Sequence, residues 1–186
     1  MIKYIVTAFL DRLPWRRCRS TASIPAVRNL ALERYVGAWY EIARLPHPFE
    51  DGMSHTTTAY AIYPDRTISI TNRGYLDAEQ RWVEVHGAAR LVNTPSVGEL
   101  EVTFYRPFLS KYRIIALDPD YRYAMVTSAR INRLWLLGRQ PQLDEATALR
   151  LVQQAEHWGF DVKKLIWVDH QNPPEDPDQS SGSGSR

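Results

Sequence analysis

The sequence contains a single cysteine, Cys18, so the chain forms no internal disulfide and its fold has to be held by packing alone. It also lacks an apolar run long enough to span a membrane as a helix. Outside the N-terminus there is no run of lysine and arginine with interleaved aromatic residues, which argues against nucleic-acid binding. A net charge of +2 indicates no particular partner, and a length of 186 residues fits one domain with tails.

Motifs for common enzyme and metal chemistry are missing as well. The five histidines are scattered, and none of them forms the H-x-H or H-x-x-x-H spacing that holds zinc. No G-x-S-x-G motif for acyl transfer occurs. We therefore expect no cofactor, no metal and no enzymatic activity. His47 and His55 are expected to face solvent near a loop.

The two ends of the chain differ in composition from its middle. Residues 1–28 begin with a short apolar run, and bulky basic residues precede Cys18 where a lipoprotein signal has small ones. We interpret them either as a degenerate targeting segment or as a disordered or locally helical extension. Residues 171–186 are rich in proline, glycine and serine, which predicts a disordered polar tail.

Between these ends, short runs rich in apolar residues alternate with turn signals. Short strands joined by hairpin-length loops are typical of an antiparallel sandwich or barrel, and the loop lengths favour strands that pair in sequence order. The predicted strands cover residues 37–45, 55–63, 67–74, 81–92, 100–105, 112–117, 123–128 and 133–139.

The pattern then changes to the period of an amphipathic helix at residues 144–158, with Asp144 as the N-cap and Gly159 as the stop. A short strand is predicted at 165–168. Eight antiparallel strands can close into a barrel, which removes exposed strand edges and encloses room for one small ligand. The predicted fold class is therefore all-β, an eight-stranded antiparallel up-and-down β-barrel with one C-terminal α-helix packed on the outside.

Four motifs appear in the order and spacing of the lipocalin family. Residues 37–40, GAWY, resemble its G-x-W motif, and residues 49–52, FEDG, resemble the loop that follows. Residues 118–123, DPDYRY, resemble its acidic turn, and residues 136–141, LLGRQP, resemble the end of its eighth strand. The chain is most similar to the bacterial outer-membrane lipoprotein branch, the Blc type, and more distantly to apolipoprotein D. We assign residues 29–170 to this domain.

The resemblance implies structural roles for Gly37, Trp39, Asp118 and Arg139. Gly37 would let the chain turn tightly into the barrel base, where a Cβ would clash. Trp39 would plug the closed end, and Arg139 would lie across its ring as a cation–π contact.

Strand alternation, carried along by the resemblance, predicts which side chains face inward. Small residues would leave space, aromatic and aliphatic residues would line it, and a few polar groups would remain. This composition fits a pocket for an apolar ligand with a polar end, and the alternative is a filled core. The candidate ligand-binding residues are Glu41, Thr58, Tyr60, Ile70, Asn72, Ala89, Val102, Phe104, Tyr112, Arg133 and Trp135, and the same alternation turns Ala43, Thr56 and Ala116 inward.

The resemblance implies a lipid-binding carrier that holds a fatty acid or lysophospholipid in the barrel, for lipid storage or transport in membrane maintenance. The polar head is expected at the open end near Tyr112, Arg113 and Arg133, because arginine forks suit oxyanions. One alternative is a lipid-acting enzyme of this fold. Another is an interaction module in which residues 104–112 contact a membrane or a second copy of the chain.

The expected location follows from the same resemblance. It implies the cell envelope, either the periplasm or the outer membrane. The lack of a clear signal peptide or lipobox keeps the cytoplasm as the alternative.

Glu41 lies two residues after Trp39, so a strand that turns Trp39 inward also turns a carboxylate inward. A buried carboxylate has to find donors or take up a proton. The candidate partners are Tyr60, Asn72, Arg139 and a trapped water. We interpret Glu41 as a polar floor just above Trp39, so Glu41→Leu is expected to raise the affinity for longer acyl chains.

Overall fold

The computed structural model describes residues 19–176 except Asn93 and Arg106. The predictions for Cys18 and the targeting segment lie outside these residues, as does the tail from 177 onward. The predicted fold class is confirmed: eight antiparallel strands close into a barrel and a helix packs outside. The strands are β1 (Gly37–Arg44), β2 (Met53–Ile62), β3 (Ile68–Leu76), β4 (Arg81–Leu91), β5 (Glu99–Tyr105), β6 (Phe108–Leu117), β7 (Tyr123–Thr127) and β8 (Leu134–Gly138).

Closure depends on β1, which pairs with both β2 and β8. Its ladder with β2 runs only from Gly37 to Tyr40, so above Tyr40 the two strands separate. We call the end where β1 begins the closed end. We call the end where β1 finishes, at Arg44, the mouth.

The chain after the helix fills the gap between β1 and β2. Strand β9 (Ile166–Trp167) pairs with residues 43–44 of β1. The Val168 N–H then donates to the carbonyl of Ile42, and the His55 N–H donates to the carbonyl of Asp169. This segment therefore completes the barrel wall where β1 and β2 have separated.

Residues 171–176 continue along the outside of the barrel with defined partners. The Trp82 indole N–H donates to the carbonyl of Glu175 at 3.3 Å, and Arg73 forms an ion pair with Asp176. The prediction of a disordered tail from residue 171 is therefore wrong for these six residues, because β3 and β4 supply partners for their polar groups.

A short helix, α1 (Leu32–Tyr35), covers the closed end. The Arg139 guanidinium carbon lies 3.8 Å from the centroid of the Trp39 ring, the contact that the family resemblance implies. Gly37 has a φ of +93°, and a Cβ there would meet the nearest Arg139 nitrogen at 3.4 Å. The backbone conformation, more than a steric clash, therefore favours glycine at this position.

Helix α2 (Glu145–His157) packs on the outside of the barrel. The Asp144 side chain accepts a hydrogen bond from the Thr147 N–H, which confirms the predicted N-cap. Leu151 and Ala155 are buried in a second apolar cluster between the helix and the barrel wall. In the part of the chain that the structure describes, no helix has the length and apolar character needed to cross a membrane.

The end of the N-terminal extension also packs on the barrel. The Arg113 guanidinium donates to the carbonyls of Thr21 and Ile24 at 2.6 and 2.9 Å, and Ile24 is buried. Arg113 thus anchors this segment and is engaged outside the barrel, so its predicted position beside a ligand head group is wrong. Residues 19–28 belong with the packed domain and not with a loose extension.

Asp118 holds the turn between β6 and β7. Its buried carboxylate accepts from the backbone N–H groups of Asp120 and Arg122 and from the Arg122 guanidinium. These donors lower its pKa to about 2.

We expect Asp118→Asn to lower the free energy of unfolding at pH 7 by about 1–2 kcal/mol. Because the folded pKa is depressed, this contribution is complete above about pH 4 and is lost as the pH falls towards 2. Urea unfolding of both proteins between pH 2 and 7 measures it, with Asp161→Asn at an exposed ion pair as the control. A stability difference that does not change with pH would contradict this assignment.

Candidate functional site

The barrel interior has a polar side and an apolar side. Near the mouth and at mid-height, β1 to β3 turn polar or charged groups inward. Thr58 on β2 pairs with Trp39 of β1 and with Asn72 of β3. Strands β4 to β8 supply an apolar wall. Such an interior suits an amphiphile whose chain lies along one wall. The polar side contains Glu41, Arg44, Thr56, Thr58 and Asn72, and the apolar wall contains Ala89, Leu100, Val102, Phe104, Ile114, Val126, Trp135 and Leu137.

Three tyrosine hydroxyls form a polar layer near the closed end. The Tyr112 hydroxyl lies 2.6 Å from that of Tyr35 and 2.8 Å from that of Tyr60. Burial raises the pKa of all three, so they stay protonated and available as donors. The predicted position of Tyr112 at the open end is therefore wrong. This layer, with Trp39 packed against Tyr35, takes the place that Glu41 was expected to fill.

Glu41 is paired with an arginine higher in the barrel. Arg44 Nη1 donates to Glu41 Oε1 at 3.1 Å and to Thr56 Oγ1 at 3.4 Å. Glu41 and Arg44 are 6% and 2% exposed, so this ion pair is almost fully removed from water. Burial and the nearby Glu50 raise the Glu41 pKa, and Arg44 opposes that shift. Among the residues described, this arginine takes the role that sequence analysis offered to Tyr60, Asn72 or Arg139.

Arg44 reaches the interior because β1 contains a bulge between Glu41 and Ala43. The slip turns Ala43 outward, into the apolar cluster beneath helix α2. A second bulge, in β6 between Ile114 and Ala116, turns Ala116 outward in the same way. The predictions that Ala43 and Ala116 face inward are therefore wrong, since a one-residue slip exchanges the two faces of a strand.

Glu50 lies over the Glu41–Arg44 pair from the loop between β1 and β2. The Trp135 indole N–H donates to both of its carboxylate oxygens, at 3.1 and 3.3 Å. Arg44 Nη2 donates to the backbone carbonyls of Glu50 and Met53, at 2.6 and 2.9 Å. Burial raises the Glu50 pKa. The loop at the mouth is thus attached to the barrel interior through both the carboxylate and the backbone carbonyl of Glu50.

His55 is buried and His47 is partly buried, contrary to the expectation from sequence that both face solvent. The His47 ring centroid lies 5.7 Å from that of Trp135, and burial with help from Arg133 and Arg44 lowers the His47 pKa to about 3. His55 lies in the barrel wall, where its ring nitrogens face the Ser54 hydroxyl and the carbonyl of Gln171. His47 is therefore neutral at physiological pH and belongs to the surroundings of the mouth.

Asn72 presents an unused acceptor inside the barrel. Its Oδ1 atom is buried and has no hydrogen-bond partner among the described residues. A buried carbonyl oxygen without a donor is unfavourable, so the position suits a hydroxyl or amide of a guest molecule.

Phe104 fills the fork where β4 and β5 part. The ladder between these strands ends at the pair Ala88–Thr103, and a cleft of about 240 Å³ opens beyond it. A Cβ on Gly87 would approach the Phe104 ring to 2.7 Å, so glycine lets the ring lie against the backbone. Phe104 is only partly buried and borders this cleft as well as the apolar cluster of the interior.

The predicted site residues thus lie at different heights along the barrel axis. Tyr60, Tyr112 and Ile70 lie towards the closed end, while Glu41 and Trp135 belong to the cluster at the mouth. Sequence reasoning missed Arg44, Glu50 and His47. The bulge in β1 hides Arg44 from an alternation rule, and nothing in the loop sequence shows that Glu50 turns towards Trp135.

The described residues contain no group of three His, Cys, Asp or Glu side chains that could hold a metal ion. The side chains at the mouth supply the Arg44 guanidinium, the Trp135 indole N–H and the carboxylates of Glu41 and Glu50. These groups can bind and orient a polar head group, and the walls below can hold an apolar chain.

Comparisons with known proteins agree with this geometry. The model of a lipocalin-like domain family matches residues 30–170. The outer membrane lipoprotein Blc of Citrobacter freundii is 38% identical over 145 residues, which is 78% of this chain and 82% of that protein. Apolipoprotein D of Mus musculus is 30% identical over 162 residues, which is 82% of this chain and 84% of that protein.

Among solved structures, insecticyanin from the tobacco hornworm Manduca sexta superimposes with a TM-score of 0.63 and 21% sequence identity. The match covers 80% of this chain and 85% of that one. At this level of identity the likeness shows the fold alone.

Proposed function

This chain belongs to the lipocalin family, and from that premise we propose that it is a carrier that holds a fatty acid or a lysophospholipid inside its barrel. The observation that supports this proposal is the division of the interior into an apolar wall and a charged mouth. An acyl chain would lie along β4 to β8, with its polar head beside Arg44 and Trp135. Arg133, which influences the pKa of both His47 and Glu50, adds positive charge at the same end.

The apolar wall offers enough driving force for such a ligand. Burying about fifteen methylenes at about 0.8 kcal/mol each contributes roughly 12 kcal/mol before the costs of ordering and association. The measured affinity is expected to be much weaker than this sum, in the micromolar to nanomolar range.

We place this carrier in the cell envelope, where it would store or transport lipid for membrane maintenance. The support comes from relatives that are named outer membrane lipoproteins. Mass spectrometry of lipids that co-purify from native cells distinguishes a carrier from a lipid-acting enzyme. Intact lipid supports the carrier, and a chemically altered product would contradict it.

Titration with lysophosphatidylcholine is expected to give a saturable change in tryptophan fluorescence. Trp135→Ala should weaken binding roughly tenfold, because it removes apolar surface and the indole donor at the mouth. Trp167→Ala is the matched control, since Trp167 is 54% exposed on β9 outside the barrel. No saturable change in the wild-type protein, with Trp135→Ala behaving identically, would contradict lipid binding.

A specific observation also supports an interaction surface at the β5–β6 hairpin. Its tip exposes large apolar side chains, with Tyr105 at 53%, Phe108 at 41% and Leu109 at 58%. Such a patch fits contact with a membrane or with a second copy of the chain.

Phe108→Asp is expected to lower the fraction bound to lipid vesicles in co-sedimentation, or the mass in light scattering if the patch joins two copies. Glu156→Gln, an exposed change on α2, provides the control. A mass and a vesicle-bound fraction that both stay unchanged would contradict a role for this tip.

A further inference from the structure

Two N–H donors meet at the mouth of the barrel. One is Arg44 Nε, whose guanidinium is almost fully buried and whose other two nitrogens are already engaged with Glu41, Thr56 and two backbone carbonyls. Arg44 Nε itself has no hydrogen-bond partner among the described residues. The other donor is Trp135 Nε1. Burying a cationic N–H donor costs free energy unless an acceptor replaces its lost water. The unpaired Arg44 Nε is therefore a favourable position for an oxyanion to bind.

The carboxylate of Glu50 occupies this place incompletely. It accepts from Trp135 Nε1 at 3.1 Å, but its nearer oxygen stays 4.0 Å from Arg44 Nε, too far for a hydrogen bond. The Glu50 side chain is 18% exposed and belongs to the loop that crosses the mouth. Its side chain therefore already contacts solvent, whereas Glu41 is buried deeper in the barrel.

Neutralising Arg44 does not by itself require Glu50. Glu41 already forms a one-to-one ion pair with Arg44 at 3.1 Å inside the barrel. Glu50 thus brings a second carboxylate to one guanidinium, and burial raises the pKa of both acids. A ligand anion that replaced Glu50 would leave the charge of the site unchanged, and the displaced carboxylate would regain its hydration.

We propose that Glu50 is a resident anion in the subsite that binds the carboxylate or phosphate of the ligand, and that the ligand displaces it. The ligand oxygen bridges Arg44 Nε and Trp135 Nε1, and the acyl chain extends down the apolar wall. The Glu50 side chain turns out to solvent, while its backbone carbonyl stays hydrogen-bonded to Arg44 Nη2. This inference rests on the proposed carrier function, and it adds the anionic class of ligand and the residue that competes with it.

The test compares lipids that share one acyl chain and differ in charge. Oleate, 1-oleoyl lysophosphatidic acid and oleyl alcohol are each titrated against the full-length protein, with displacement of the neutral probe N-phenyl-1-naphthylamine as the readout. In Glu50→Gln the affinity for an anionic lipid relative to oleyl alcohol is expected to rise about tenfold, since a competing charge is removed and the amide still accepts from Trp135. A rise for oleate alone indicates a carboxylate ligand, and a rise for the lysophosphatidic acid indicates a phosphate ligand.

Two further variants control the interpretation. Trp135→Phe keeps the ring and removes the N–H, so the same ratio should fall about tenfold while oleyl alcohol binding changes little. Glu156→Gln changes an exposed carboxylate on α2 and should leave the ratio unchanged. If wild-type protein binds the lipids and Glu50→Gln leaves the ratio unaltered, the subsite inference is overturned and the carrier function stands. If no lipid binds to the wild-type protein, the carrier function itself is contradicted.

Discussion

Replacing Arg139 with methionine is expected to lower the free energy of unfolding by about 2–4 kcal/mol. The guanidinium connects three separate parts of the closed end, namely helix α1, the start of β1 and the turn before β7. It donates to the backbone carbonyls of Arg34, Tyr35, Val36, Ala38 and Tyr121, at 2.9, 3.0, 2.9, 2.6 and 3.3 Å. It also covers the Trp39 ring, so its loss exposes the residue that plugs the barrel.

Urea unfolding at pH 7, followed by circular dichroism, measures this effect. Arg139→Lys should lose about half as much stability. The lysine ammonium keeps the positive charge above Trp39, but it cannot donate to all the backbone carbonyls that the planar guanidinium reaches. Arg90→Met, at an exposed ion pair with Glu101, is the matched control and should change stability by less than about 1 kcal/mol. If Arg139→Met behaved like this control, the proposed role of Arg139 in holding the closed end together would be wrong.

The second large effect concerns the Glu41–Arg44 pair. Arg44→Met alone and Glu41→Leu alone are each expected to cost about 3–5 kcal/mol, because each leaves the other charge buried without its partner. The double variant should be more stable than the sum of the two single changes predicts, by at least about 2 kcal/mol. It will not fully recover wild-type stability, since Arg44 also binds the carbonyls of Glu50 and Met53.

A double-mutant cycle of urea unfolding experiments gives this coupling energy. Glu41→Gln is the conservative comparison and should cost less than Glu41→Leu, because the amide still accepts from Arg44 although it removes the opposite charge. Strictly additive single effects would show that the two charges do not stabilise one another. Tyrosine hydroxyls, and not Glu41, form the polar layer at the closed end. We therefore no longer expect Glu41→Leu to raise the affinity for longer acyl chains.

The fold could be predicted because its signals are local. Alternation along the strands, the turns between them and the N-cap at Asp144 each depend on residues that are close in sequence. The ordered motifs around Gly37, Trp39, Asp118 and Arg139 then indicated the family, and the contact between Arg139 and Trp39 is present in the structure. Most inward residues followed from the same alternation.

The failed predictions of which side chains face inward on β1 and β6 share one physical cause. A bulge inserts one residue into a strand, and neither its position in β1 nor that in β6 is visible in an alternating pattern. Each slip reversed the faces beyond it, which turned Ala43 and Ala116 outward and brought Arg44 into the barrel. The tail was misjudged for a related reason, since residues 171–176 obtain their partners from β3 and β4 and not from their own neighbours.

By itself, then, the amino-acid sequence determined a closed eight-stranded barrel with an outer helix, because strand period, turn residues and caps act over a few positions. Only the tertiary structure decided how the mouth is built. Arg44, Glu50 and Trp135 meet there from the end of β1, a loop and β8, and Glu50 and Trp135 alone are 85 residues apart in sequence. Their contact depends on a register slip and on the path of a loop, and long-range packing sets both.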